Sequence, residues 1–119
     1  MKIIAFTGFA GSGKSTAAEI FTKSKYKRVS FADPIREMLH AMGLSTDQMR
    51  NRKTEVIPWA GGKTVRQLMQ TLGTEWGREM VDQNLWVNSM RYRLEGQQNL
   101  YDRTGLGECR FVIDDLRFD

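Results

Sequence analysis

The chain has 119 residues, enough for one domain around one modest core. Hydrophobic residues make up 40% and charged residues 27%, a globular balance, and no apolar run nears the roughly 20 residues that cross a bilayer. The start lacks a signal-peptide pattern, and the single cysteine, Cys109, excludes an intrachain disulfide, which together fit a reducing cytoplasm. A net charge of +4, with 11 arginines against 7 lysines, favours anionic ligands, because a guanidinium grips phosphate oxygens in pairs.

Taken in order, Ile3, Ile4, Ala5 and Phe6 predict a first strand buried on both faces. Residues 14–25, with Ala17, Ala18 and Phe21 among polar neighbours, predict a helix, and Tyr26 to Phe31 a second strand with Val29 and Phe31 on one face. Asp33-Pro34 reads as an N-cap followed by a first-turn proline. Ile35, Met38, Leu39 and Met42 then recur at helical spacing up to Gly43. Ser45 to Gln48 and Thr64 to Gln67 are capping-box patterns, separated by a loop through Pro58, Gly61 and Gly62. Val65, Leu68, Met69 and Leu72 predict a further helix that Gly73 and Gly77 bend or break. A helix from about Asn84 to Leu94, a loop over 95–109 and a third strand at Phe111 to Ile113 complete the chain. Strands separated by helices predict an α/β fold with a parallel sheet, three strands being visible.

Gly8-Phe-Ala-Gly-Ser-Gly-Lys-Ser15 has the spacing of a P-loop, G-x-x-x-x-G-K-[ST], after a strand and before a helix. Glycines let backbone N–H groups wrap a phosphate, and the helix start that follows favours anions. The expected nucleotide contacts are Gly8, Gly11, Ser12, Gly13, Lys14, Ser15 and Thr16, with Lys14 on the β- and γ-phosphates of ATP and Ser15 on Mg²⁺. A P-loop also needs a carboxylate near the metal, at the end of a buried strand. Asp114 and Asp115 close the third strand and point to opposite sides of it; Asp114, directly after the apolar run, is the first choice. Arg117, two residues beyond, would neutralise charge on the transferred group. An acceptor belongs between the end of the second strand and the helices after it, where Asp33, Arg36, Arg66 and Arg78 are the polar candidates, with Gln70 between the last two. His40 reads as a surface or packing residue. Of three tryptophans, Trp59 is the best candidate for more than packing, and Met90 to Arg93 is weak evidence for nucleic-acid binding.

Phe6 to Ser15 and Phe31-Ala-Asp-Pro-Ile-Arg-Glu-Met-Leu39 resemble the opening of bacteriophage deoxynucleoside monophosphate kinases. Leu68-Met-Gln-Thr-Leu-Gly-Thr-Glu-Trp-Gly-Arg78 resembles that family's LQ-x-x-GTE-x-x-R stretch, and Asn84 to Val87 and Val112 to Phe118 its later segments. The resemblance implies a P-loop three-layer sandwich in which residues 1–119 form one kinase core, with a helical acceptor region over about 33–94. It implies transfer of the ATP γ-phosphoryl to a deoxynucleoside 5′-monophosphate, with Lys14, Asp114 and Arg117 catalytic and Ser15, Asp114 and Asp115 toward Mg²⁺. Asp33, Arg36, Arg66, Gln70 and Arg78 are the implied acceptor contacts, in the cytoplasm of an infected bacterium. Family members continue beyond the D-x-R-F segment with two strands, a lid and an adenine loop, so the chain corresponds to the N-terminal part of such a kinase. Its first-strand edge then offers a surface for a homodimer. Neither a membrane nor nucleic acid is an expected partner. The rival expectations are a dephospho-coenzyme-A or other small-metabolite kinase, and a non-catalytic nucleotide- or nucleic-acid-binding module.

Overall fold

The computed structural model describes residues 1–5, 19–20 and 22–113. These form a mixed α/β structure that divides into two compact units, one of Met1–Phe31 with Val87–Asp119 and one of Ala32–Trp86.

The first unit carries a parallel sheet of β1 (Lys2–Ala5), β2 (Lys27–Val29) and, last in the chain, Arg110–Ile113. That last strand, β5, lies between the other two. Its register sets Ala5 of β1 and Val29 of β2 on either side of Ile113. Phe111, Val112 and Ile113 are all buried, so β5 is covered on both faces, as its unbroken apolar run requires. Phe111 and Ile113 pack with Val29, Cys109, Met90 and Leu94, and Phe31 joins Val29 on that face as its spacing predicts. The first strand departs from expectation. It spans Lys2–Ala5, and Ile3 is 45% exposed while only Ile4 is half-buried. The core cluster centres on β5 and takes in β2 rather than β1.

Met90 and Leu94 come from the long helix Leu85–Thr104. Its length corrects the loop expected over 95–109, which forms only after Thr104. Tyr101 explains the extension: it follows Leu94 by two helical turns and packs on the same cluster. Gly105, at φ 71°, ends the helix, and Leu106 N–H donates to the Tyr101 carbonyl in a Schellman closure.

The second unit starts with α1 (Asp33–Met42). Its N-cap is Ala32, with no side-chain cap, so Asp33 is not the cap its Asp-Pro pairing suggested. As the first helical residue, Asp33 still sits favourably at the positive end of the helix. Gly43, at φ 119°, ends α1, and Leu44 N–H reaches the Leu39 carbonyl. This turn buries Leu44 beside Leu39, the apolar contact that accompanies a Schellman closure. Helix α2 (Thr46–Asn51) opens with the predicted reciprocal box between Ser45 and Gln48. The expected loop holds a small antiparallel hairpin, β3 (Val56–Ile57) with β4 (Lys63–Thr64), around a 3₁₀ turn at Pro58–Ala60. Gly61 and Gly62 take positive φ there, a conformation that side chains with a Cβ resist. Thr64 and Gln67 form the second predicted box, opening α3 (Val65–Gln70).

The helix does not break at Gly73 or Gly77. It widens into a π-wound segment over Thr71–Val81, whose last link is Asp82 N–H to the Gly77 carbonyl, five residues back. With the final helix numbered α4, the core of this unit is Ile35 and Leu39 of α1, Leu44, Met49, Ile57 and Val65, flanked by Leu68, Met69, Leu72 and Trp86. No helix among the described residues is long and apolar enough to cross a membrane.

Candidate functional site

A cleft of about 360 Å³ opens within the Ala32–Trp86 unit. Arg66, Gln70 and Arg78, three of the residues singled out in the sequence, all line it. Lys53 and Thr74 add polar groups, and Ile35, Met69 and Trp86 supply apolar wall. Helical spacing accounts for the grouping. Arg66, Met69, Gln70 and Gly73 recur at intervals of three, one and three along α3 and the turn after it, and Thr74 and Arg78 reach the same cleft from the π-wound continuation.

Lys53 arrives from outside the stripe, by way of the segment after α2. Two backbone bonds fasten that segment to the start of α3: Arg66 N–H donates to the Lys53 carbonyl at 2.8 Å, and Val65 N–H to the Glu55 carbonyl at 3.0 Å. The carboxylate nearest Lys53 in sequence is engaged elsewhere. Glu55 accepts from the Gln48 side-chain amide at 2.9 Å and from Arg52 at 3.5 Å. Among the described residues no acid lines the cleft, and neither Lys53 nor Arg66 has an ion-pair partner. Three cationic side chains thus converge on a concave surface with apolar walls. Such a surface suits an anionic head carried on an apolar or aromatic body.

Trp86, at the start of α4, forms part of the wall and is held firmly. Its Nε1–H donates to the Gly73 carbonyl at 2.7 Å, and its ring tilts at 52° to Trp76 with centroids 6.3 Å apart. Gly77 admits the indole: a Cβ there would lie 2.6 Å from Cζ2 and 2.8 Å from Cε2 and Nε1.

Asp33 and Arg36 are placed differently. Arg36 Nη1 lies 3.3 Å from Asp33 Oδ1, a pair closed within one turn of α1. Arg36 lines a second, smaller cleft of about 250 Å³ with Glu37, His40, Thr46, Met49 and Arg50. His40, exposed on α1, donates from Nδ1 to the Leu44 carbonyl at 2.9 Å, which suits the surface or packing role expected of it. Trp59 is 56% exposed, stands near Gly43 and lines neither cleft. The aromatic residue of the larger cleft is Trp86 instead. Neither Lys53 nor Trp86 stood among the expected site residues, although Trp86 lies in the resembling stretch Asn84 to Val87. Each reaches the cleft through a contact distant in sequence, Lys53 through Arg66 and Trp86 through Gly73.

The expected P-loop residues Gly8, Gly11, Ser12, Gly13, Lys14, Ser15 and Thr16, and the expected acids and arginine Asp114, Asp115 and Arg117, lie outside the described residues. Among the described residues, no group of three or more His, Cys, Asp or Glu side chains is arranged to hold a metal ion. Comparison with protein-family models, with curated proteins and with solved structures found no match for this chain.

Proposed function

We propose that the chain binds ATP and Mg²⁺ and directs the γ-phosphoryl group to a deoxynucleoside 5′-monophosphate held in the larger cleft. The observation that carries this reading is the cleft itself, which Arg66, Gln70, Arg78 and Lys53 line beside apolar wall, with no acid among the described residues there. A nucleoside monophosphate has the matching chemistry, a dianionic phosphate joined through a sugar to a flat aromatic base.

The sheet supports the nucleotide half of the reading. Parallel strands β1 and β5 pair with Ala5 opposite Ile113, so the chain leaves both at the same edge of the sheet. Gly8 follows Ala5 by three residues and Asp114 follows Ile113 directly. A glycine-rich phosphate loop and a metal-binding carboxylate belong at one such edge, the carboxyl end of a parallel sheet. Gly8 to Thr16 would hold the triphosphate, and Ser15 with Asp114 or Asp115 the metal, which when bound supplies charge neutralisation on the phosphate oxygens. The acceptor is already an ionised phosphate, so the reaction needs no strong base. Positioning and cationic groups, Lys14 and Arg117 among them, supply the catalysis.

The test is a coupled assay with ATP against a panel of deoxynucleoside monophosphates, together with equilibrium binding of each nucleotide. Lys14→Ala is expected to abolish ATP binding and leave monophosphate binding intact, and Arg66→Ala with Arg78→Ala the reverse. Phosphorylation of a non-nucleotide acceptor alone would move the assignment to a small-metabolite kinase. Salt-sensitive DNA binding that survives Lys14→Ala, without turnover, would replace the enzyme by a nucleic-acid-binding module.

A further inference from the structure

We propose that Trp86 is a positioning residue: seated on Gly77 and bonded to the Gly73 carbonyl, its indole holds the π-wound segment in the winding that presents Thr74 and Arg78 to the cleft. This rests on reading the cleft as the acceptor site.

A π-wound stretch as long as Thr71–Val81 needs an external hold, because α-winding of the same residues is intrinsically favoured. Widening changes which side chains past Thr71 share a face, since each backbone bond spans one residue more than in the i to i+4 pattern. The hold comes from both sides. On one, the Cδ1 of Ile35 lies 3.0 Å from where a Gly73 Cβ would be. On the other, Trp86 lies closer still to Gly77 and binds the Gly73 carbonyl at 2.7 Å. Gly73 and Gly77 are the two buried residues of the segment, so both grips fall where the backbone is bare. Trp76, on the same segment, braces the indole. Thr74 and Arg78, each one residue beyond a gripped glycine, line the cleft. A tryptophan whose N–H merely found an acceptor would not need a glycine under its ring.

The experiment is a double-mutant cycle of Gly77→Ala, Trp86→Leu and the pair, read by calorimetric titration with each of the four common deoxynucleoside monophosphates. Gly77 does not line the cleft, so Gly77→Ala reaches the acceptor through the indole and the winding that it holds. It is expected to weaken monophosphate binding about tenfold, the equivalent of a modest overpacking strain, and to leave ATP affinity unchanged. Trp86→Leu weakens it too. The double variant binds within about twofold of Trp86→Leu, because the clash has gone with the ring. Unchanged affinity in Gly77→Ala despite a lowered melting temperature, or additive losses in the pair, overturns the proposal. If Gly77→Ala does not fold, Trp86→Phe, which lacks the N–H donor, takes its place, and parental affinity there is the overturning result. If the parent chain binds no monophosphate, the acceptor reading fails, and the lock is judged on hydrogen exchange of the Trp86 indole N–H. Slow exchange that Gly77→Ala accelerates at least about tenfold supports the lock; equal rates in both proteins overturn it.

Discussion

Gly73→Ala and Gly77→Ala add the same methyl group four residues apart, and the structure assigns them different outcomes. In a helical interior the change from glycine to alanine gains about 0.5–1 kcal/mol from the reduced freedom of the unfolded chain. At position 73 the new Cβ meets only Ile35 Cδ1, at 3.0 Å. That atom is the end of a rotatable side chain, and a shift of χ within its well costs about 0.5–1.5 kcal/mol. The two terms offset, so Gly73→Ala is expected within about 1 kcal/mol of the parent. At position 77 the Cβ meets three atoms of a rigid ring at 2.6 to 2.8 Å, where about 3.5–4.0 Å is comfortable. The ring cannot retreat without losing its bond to Gly73, worth about 1 kcal/mol. Overpacking of this kind costs about 1–3 kcal/mol, so the net destabilisation is about 1–2 kcal/mol, or roughly 4–16 °C in melting temperature for a small unit. Trp59, Trp76 and Trp86 all belong to the Ala32–Trp86 unit, so urea titration followed by tryptophan fluorescence reports on that unit. Gly77→Ala as stable as the parent, or equal losses at both positions, would refute the packing argument.

Arg66→Gln removes one cleft cation and is expected to weaken monophosphate binding about tenfold, the low end for a charge-assisted bond of about 1.5–3 kcal/mol at an exposed site; the residual affinity should also lose part of its salt dependence. Ser45→Ala takes one arm from the capping box of α2 and should cost about 1 kcal/mol by urea denaturation, whereas Ser45→Asp, which still caps, should cost little. Burial raises the Cys109 thiol above its ordinary pKa. The folded state therefore favours the protonated thiol, and the stability this contributes is complete below the unfolded value of about 8.5 and is lost as pH climbs through the folded one. Native protein at neutral pH should react with a thiol reagent only as fast as it opens, and reaction at the rate of a free thiol would contradict that burial.

Much of the fold was legible in the residues. Both capping boxes formed where Ser45-x-x-Gln and Thr64-x-x-Gln stood, because a cap is a contact among residues three apart. The buried third strand followed from its unbroken apolar run. The misses share a cause. Asp33 gave up the cap to Ala32 because the helix begins one residue earlier than its Asp-Pro pair suggests. Helix α4 ran on through a polar stretch because Tyr101 finds the core that Met90 and Leu94 share.

Along the candidate site the division is the same. The sequence singled out Arg66, Gln70 and Arg78 as polar candidates along with Asp33 and Arg36, and the fold gathers only the first three in one cleft. The sequence also carries the phosphate-loop pattern at Gly8 to Ser15, whose meaning rests on residue types at fixed intervals. Only the tertiary structure decided that the glycines at 73 and 77 widen a helix rather than end it, that Lys53 joins the arginines, and that Trp86 rather than Trp59 is the aromatic wall. Each of those outcomes depends on a contact between residues far apart in the chain. Winding, reach and burial are settled there by which surfaces meet, and no spacing within a single segment encodes that meeting.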